Sequence, residues 1–195
     1  SNAEGVSLGK KESNMGQRCS DTRSVIFNNV RVPASQLIGG SESGGWMNAM
    51  NAFDMSRPNI AAQATGLARA AFEHALQYSD ERETFGQKLH QHQAIQFMLA
   101  DMKTKVEASR LLTWKSAALA DAGQKNTEAA AHAKRFAADA AMEVSTDAVQ
   151  VFGGYGYSEE YPVARLMRGA KVLQIYEGSS QVQRMIIGRE MLRGL

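Results

Sequence analysis

The chain has 195 residues, 22 basic and 20 acidic side chains for a net charge of +2, and 44% apolar residues with only three prolines. That length supports a core of one domain or one and a half, and the composition suits a globular, largely helical chain. Balanced charge without a long basic run excludes a nucleic-acid surface, and no apolar run reaches the roughly 18 residues of a membrane span. A lone cysteine, Cys19, excludes an internal disulfide framework or a multi-thiolate metal site and fits a reducing compartment. Ser1-Asn2-Ala3 reads as a tag-cleavage scar, followed directly by loop-like sequence with no signal peptide, as in a piece cut from a longer protein. In residues 4–43, Ser24 to Val32 (SVIFNNVRV) predicts a strand ending at Pro33, with the residues around Met15 to Asp21 as its partner. Two or three strands cannot cover both their faces, so this segment calls for a larger sheet or a helical neighbour.

From Trp46 onward the apolar period is helical. Ile60, Ala64, Leu67, Ala71 and Ala75 mark one face of a long helix over about 46–80. Pro58 inside it has no N–H, so the carbonyl of Asp54 loses its helical partner and a kink is expected there. A second helix is predicted over about 91–121, with Ile95, Leu99, Met102, Val106 and Ser109 as its seam and Gly123 as its stop. Asn126 or Thr127 starts a third, whose alanines (Ala129 to Ala131, Ala137, Ala138, Ala140, Ala141) favour close helix approach until Gly153-Gly154. Short helices near 161–171 and 179–193 complete the set. Long helices with short joints predict a mainly α fold, an antiparallel four-helix bundle over 44–195 behind a short β-strand remnant.

Four stretches carry candidate chemistry. Glu177 lies between Tyr176 and Gly178 just before a helix that Ser179 or Ser180 can cap; it reads either as a surface acid complementing a helix dipole or as a mobile base. Arg82-Glu83-Thr84-Phe85-Gly86, between the first two long helices, reads as a charged turn or as a guanidinium, hydroxyl and loosened backbone for a phosphate. Gln150 to Gly156 closes the third helix with three glycines in four residues, either a cap and turn or a close approach to a flat or phosphorylated ligand. It is not the dinucleotide fingerprint, since no strand precedes it. Asp54 and Arg57, three apart on one face beside Pro58, can simply pair with each other. The histidines, His74, His90, His92 and His132, have no metal-ligand arrangement, and no metal is assigned.

Together these stretches resemble the acyl-CoA dehydrogenase family, most of all its medium-chain members. The matches are NMGQRCSDTR (Asn14 to Arg23), ERETFGQKL (Glu81 to Leu89), HQAIQFMLADM (His92 to Met102), TDAVQVFGGYG (Thr146 to Gly156) and QIYEGSSQVQR (Gln174 to Arg184), in the family's order and spacing. The resemblance implies that residues 4–43 are the tail of a middle β-domain and 44–195 a C-terminal helical domain. The parent would be a FAD-dependent enzyme of fatty-acid β-oxidation that forms the α,β double bond of a fatty acyl-CoA and passes electrons to electron-transferring flavoprotein. By the same resemblance Glu177 is the catalytic base, removing the α-proton as the β-hydrogen leaves to flavin, with its own backbone N–H helping to hold the developing enolate. Some relatives carry the base on the first long helix instead; the matching position is Ser56, which cannot do that work.

Cofactor contacts fall by resemblance on Arg82, Thr84, Phe85, His92, Gln93, Gln150, Val151, Phe152, Gly153, Gly154, Gly178, Ser179 and Gln181. Those at Arg82 to Phe85, Gln150 and Gly154 reach the flavin cofactor of a neighbouring subunit, which implies a homodimer or homotetramer. Asp54, Arg57 and Tyr176 match the substrate channel. Serine at 179 replaces the usual threonine and keeps the hydroxyl, while Gly169 replaces a common aspartate. The family's N-terminal helical domain and most of its β-domain have no counterpart before residue 4, so the piece alone is expected to be inactive and to bind FAD weakly. A non-catalytic helical assembly module and an acyl-CoA oxidase parent are the alternatives. The resemblance places the parent in a bacterial cytoplasm or a mitochondrial matrix.

Overall fold

In a computed structural model that describes residues 3–193 and 195, the chain opens with two antiparallel strands, β1 (Val6–Leu8) and β2 (Val25–Phe27), in the register Val6↔Phe27, Ser7↔Ile26, Leu8↔Val25. The scar expected at residues 1–3 lies outside the described residues except for Ala3. Met15 to Asp21 is therefore not the strand partner. Backbone bonds from Gly9 N–H to Ser24 O (2.9 Å) and Glu12 N–H to Thr22 O (3.0 Å) extend the pairing toward a turn closed by Ser20 N–H on Gln17 O (2.9 Å). Gln17, at φ +47°, takes the left-handed conformation of that turn. The second strand stops short of Val32 because Asn29 is also left-handed, at φ +50°, which breaks the pleat.

The chain divides into two compact units between Ala52 and Phe53. Among the described residues five α-helices carry the rest: α1 (Gly45–Glu81), α2 (Gln93–Asp121), α3 (Thr127–Phe152), α4 (Pro162–Leu173) and α5 (Ser180–Met191). A short hairpin, β3 (Glu83–Thr84) with β4 (Gln87–Lys88), joins α1 to α2. One core links α1, α2, α3 and α4 through Ala61, Ala64, Ala68, Ala71 and Ala75, then Leu99, Met102 and Val106, then Ala133 to Ala148, then Val163, Ala170 and Leu173. On α1 the tightest seam is the alanine row. Ile60 and Leu67, predicted as core, sit half-buried at its edges, as does Ile95 on α2. The reason is steric: alanines let helix axes approach, and only flanking positions leave room for larger side chains. The third helix is buried on nearly all sides, from Ala130 to Phe152, and acts as the central post of the bundle.

Pro58 does not break α1, which is helical across it. The Asp54 carbonyl that Pro58 deprives of a partner accepts instead from Asn126 Nδ2, at 3.2 Å, at the N-cap of α3. Asn126, itself buried, completes the arrangement by accepting from Ser116 Oγ of α2 at 2.9 Å. One asparagine thus ties three helices at the proline. Asn126→Ala leaves a freed carbonyl and a buried hydroxyl without partners and is expected to cost about 1–3 kcal/mol, read as a lowered urea midpoint at unchanged slope.

Candidate functional site

Glu177 sits where α4 hands over to α5, in a loop from Gln174 to Ser179. Ser179 caps α5, its hydroxyl accepting from Val182 N–H at 3.4 Å. Glu177 and Gly178 are consecutive left-handed residues, at φ +56° and +86°. For a glutamate that conformation costs about 1–3 kcal/mol and persists only where the surroundings enforce it. Here they do. Gln183, fully buried on α5, donates from Nε2 to the carbonyls of Glu177 (3.1 Å) and Gly178 (2.9 Å). Lys134 of α3, also fully buried, donates from Nζ to Gly178 O at 2.7 Å. Position 178 needs glycine twice over, for its φ and because a Cβ would stand 2.6 Å from Gln183 Nε2. Asp139, one turn beyond Lys134, anchors both ends of the loop: Oδ1 accepts from Gln174 Nε2 (2.9 Å) and Ser180 Oγ (2.7 Å), and Oδ2 from Arg184 (3.1 Å).

The half-buried Glu177 side chain points to α1, where its Oε2 accepts from Ser56 Oγ at 2.6 Å. Ser56, expected to be unable to serve as a base itself, therefore touches Glu177 directly. Among the described residues, the Glu177 N–H donates to no protein acceptor. One turn away, Asp54 and Arg57 do pair, Nη1 to Oδ1 at 2.6 Å, with Thr127 Oγ1 donating to Asp54 Oδ2 at 2.5 Å. Arg57 is buried, lies 5.7 Å from the centre of the Phe53 ring, and leaves its Nε without a hydrogen bond. Burial pulls its guanidinium pKa down, opposed by the fields of Asp54 and Glu177. The hydroxyl of Tyr176 is tied to Gln63 Oε1 at 2.7 Å. So Asp54, Arg57, Tyr176 and Glu177 are gathered around one stretch of α1.

Most of the other predicted residues meet elsewhere. Arg82 and Thr84 from the hairpin and Gln150, Val151, Phe152, Gly153 and Gly154 from the end of α3 line one cleft of about 590 Å³. Its aromatic wall is Tyr78 stacked on Phe152, centroids 4.1 Å apart and planes 12° from parallel, with Phe152 edge-on to Tyr161. Gly156 turns the chain back onto α3 so closely that a Cβ would lie 2.3 Å from Val149 O. Gly153 and Gly154, by contrast, have open space where a Cβ would be, so backbone is exposed to the cleft. His92 props the hairpin, its Nε2 3.2 Å from both Oγ1 and O of Thr84, while Gln93 opens α2 and Phe85 projects fully into solvent. Gly178, Ser179 and Gln181 are not part of this cleft; Ser179 and Gln181 line a separate polar one of about 330 Å³ with Asp139 and Arg184. Gly169 is buried in α4.

Sequence reasoning did not single out Lys134, Asp139 or Gln183. A signal existed for the first: Lys134 lies in phase with Ala130, Ala137 and Ala141, a charge on the buried stripe of an alanine-rich helix.

Residues 43–192 match the acyl-CoA dehydrogenase C-terminal domain. The chain is 52% identical over 191 residues to cyclohexane-1-carbonyl-CoA dehydrogenase of Geobacter metallireducens, covering 98% of this chain and 50% of that protein. It is 50% identical over 189 residues to the short-chain-specific acyl-CoA dehydrogenase of Megasphaera elsdenii, covering 97% of this chain and 49% of that one. The chain thus spans about half the length of the curated relatives it matches. Butyryl-CoA dehydrogenase from Megasphaera elsdenii superposes with a TM-score of 0.96 at 49% identity, over 98% of this chain and 50% of its own.

Proposed function

This chain belongs to the acyl-CoA dehydrogenase family as a C-terminal helical domain, and we propose that it carries the catalytic base, Glu177, of a FAD-dependent enzyme that desaturates a fatty acyl-CoA. The observation that carries the reading is the presentation of Glu177. Its carboxylate and its unpartnered backbone N–H come from one residue, in a left-handed loop braced from α3 and α5. With Ser56 holding Oε2, the other oxygen is left to accept the α-proton of a thioester. The N–H is available for the charge that develops on the thioester oxygen. Arg57, buried with an unpaired Nε, and Asp54 would line the approach to that centre, with Tyr176 at its border.

The residues of the larger cleft fit a phosphorylated, flat cofactor. Arg82 and the Thr84 hydroxyl supply phosphate donors, exposed backbone at Gly153-Gly154 permits close approach, and the Tyr78–Phe152 pair forms an apolar wall. Bound FAD would supply the acceptor for the β-hydrogen and its two electrons. Arg82, Thr84, Phe85, His92, Gln93 and Gln150 to Gly154 would hold a neighbouring subunit's FAD, while Gly178, Ser179 and Gln181 border the subunit's own. The division of these residues between two clefts supports that sharing, and with it a homodimer or a tetramer of dimers. The two relatives named above act on a cyclic and a short-chain acyl group at nearly equal identity to this chain. Electrons would pass to electron-transferring flavoprotein, in fatty-acid β-oxidation in a bacterial cytoplasm or mitochondrial matrix; no helix among the described residues is long and apolar enough to cross a membrane.

The test is flavin content and its reduction. Purified alone, the 195-residue chain is expected to retain little FAD and to be inactive. Extended to the length of its relatives, it is expected to bind FAD that acyl-CoA bleaches anaerobically. Stoichiometric flavin on the short chain would defeat the shared-site reading, and an extended flavoprotein that acyl-CoA cannot reduce would defeat the dehydrogenase itself.

A further inference from the structure

A lysine with no exposed surface is an expensive residue, because its ammonium gives up water, and an apolar side chain of similar volume costs less. Lys134 is such a lysine, and it forms no ion pair with a carboxylate among the described residues. Its hydrogen bond goes instead to a backbone carbonyl, that of Gly178, the residue after Glu177. Gln183 converges on the same carbonyl from the opposite element and on that of Glu177 beside it. Two buried donors thus hold the two peptide oxygens of one strained left-handed pair. When those oxygens are pinned, the peptide planes on either side of Gly178 are pinned, and with Glu177 held at its left-handed φ they set the direction of its Cα–Cβ bond and, through that φ, of its N–H.

We infer that Lys134 is a positioning residue for Glu177, its ammonium inside α3 holding the Gly178 carbonyl so that the Glu177 carboxylate faces Ser56 and its N–H stays open. The inference rests on the reading of Glu177 as the base, but its structural half can be measured separately. The charged groups around the ammonium agree with it. Burial pushes the Lys134 pKa down to about 8; Asp139 on α3 and Glu177 on the loop oppose that fall, and Arg57 on α1 adds to it. Lys134 is thus a charged donor below that pH and a neutral, weaker one above it. An unfolded lysine keeps its proton to about 10.5, so between these values the unfolded chain binds more protons. The contribution of Lys134 to stability therefore rises with pH across that window, while its grip on Gly178 weakens.

The experiment replaces the ammonium by an apolar group of similar length, Lys134→Met, and follows amide hydrogen exchange in this chain. Exchange at Ser180, whose N–H closes the loop on Gln174 O at 2.9 Å, is expected to quicken about tenfold or more, with the α3 core unchanged. Unchanged exchange at the loop overturns the inference. Should the variant not fold, the wild-type side chain decides: below pH 8, the Lys134 ammonium is expected to give a slowly exchanging nitrogen-15 signal coupled to the Gly178 carbonyl. A Lys134 that exchanges as freely as surface lysines overturns the inference equally. In the extended enzyme, Lys134→Met is expected to lower kcat by about tenfold to a hundredfold while KM moves no more than about twofold, the pattern of a misaimed base. A kcat unchanged from wild type refutes the positioning role. A wild-type extended enzyme that removes no α-proton sinks the base assignment and leaves the exchange result standing.

Discussion

Glu177→Gln in the extended enzyme is expected to reduce turnover with an acyl-CoA and an artificial electron acceptor by about a thousandfold, within the range general-base removal commands. The substitution is nearly isosteric. The amide oxygen of glutamine can still accept from Ser56 Oγ, now 2.6 Å from Oε2, and the backbone N–H and left-handed loop do not change. What disappears is the capacity to take a proton. The loss should therefore fall on kcat, with flavin content and thermal midpoint close to wild type. Exchange of the substrate α-hydrogen with solvent should vanish together with turnover. Turnover within a few-fold of wild type would refute the base assignment and direct attention to other groups facing Ser56. The wild-type extended enzyme, compared in oxygen and with the artificial acceptor, separates a dehydrogenase from an oxidase, since only an oxidase parent would pass its electrons to oxygen.

Leu173→Ala is expected to produce the largest loss of stability of any single truncation considered, about 2–5 kcal/mol. Leu173 is the last residue of α4, fully buried in the core shared with α1, α2 and α3, and the Glu177 loop begins at the next residue. That core is largely alanine, with few atoms to move into the space, so the cavity should stay open rather than collapse. For a chain of this size the midpoint should fall by roughly 5–15 °C. A fall of only a degree or two would mean that α4 does not pack as described. Because the loop starts where the cavity forms, exchange at Ser180, whose N–H is held by Gln174 O, should quicken along with that of the core, whereas Lys134→Met is expected to affect the loop alone.

Much of this was legible along the chain. The helical period located all five helices to within a few residues, because amphipathic repetition is a local property that survives without knowledge of neighbours. Pro58 announced an orphan carbonyl at Asp54, but not that Asn126, distant in sequence, would satisfy it. Asp54 and Arg57 were readable as a pair because three residues along a helix is contact distance. The strand partner was misplaced, since Met15 to Asp21 and Val6 to Leu8 are both short and weakly patterned, and only the turn at Gln17 decides between them. On α1 the predicted Ala64, Ala71 and Ala75 are core, whereas Ile60 and Leu67 sit at its edge, because hydrophobicity alone favours them where close packing favours Ala61 and Ala68.

By itself the sequence determined the helical class, the joints between helices and the family, and pointed to Glu177 as the proposed base, because these are written in periodicity, in glycine and proline positions and in contiguous motifs. Only the tertiary structure decided how Glu177 is held. Lys134, Asp139 and Gln183 lie on other elements, and their roles come from which carbonyls and hydroxyls packing brings within about 3 Å, a distance no spacing along a chain encodes. It also decided that Ser56 is a direct partner of the glutamate rather than merely a disqualified site. A carboxylate's neighbours are chosen by the fold, and for Glu177 they come from α1, α3 and α5 at once.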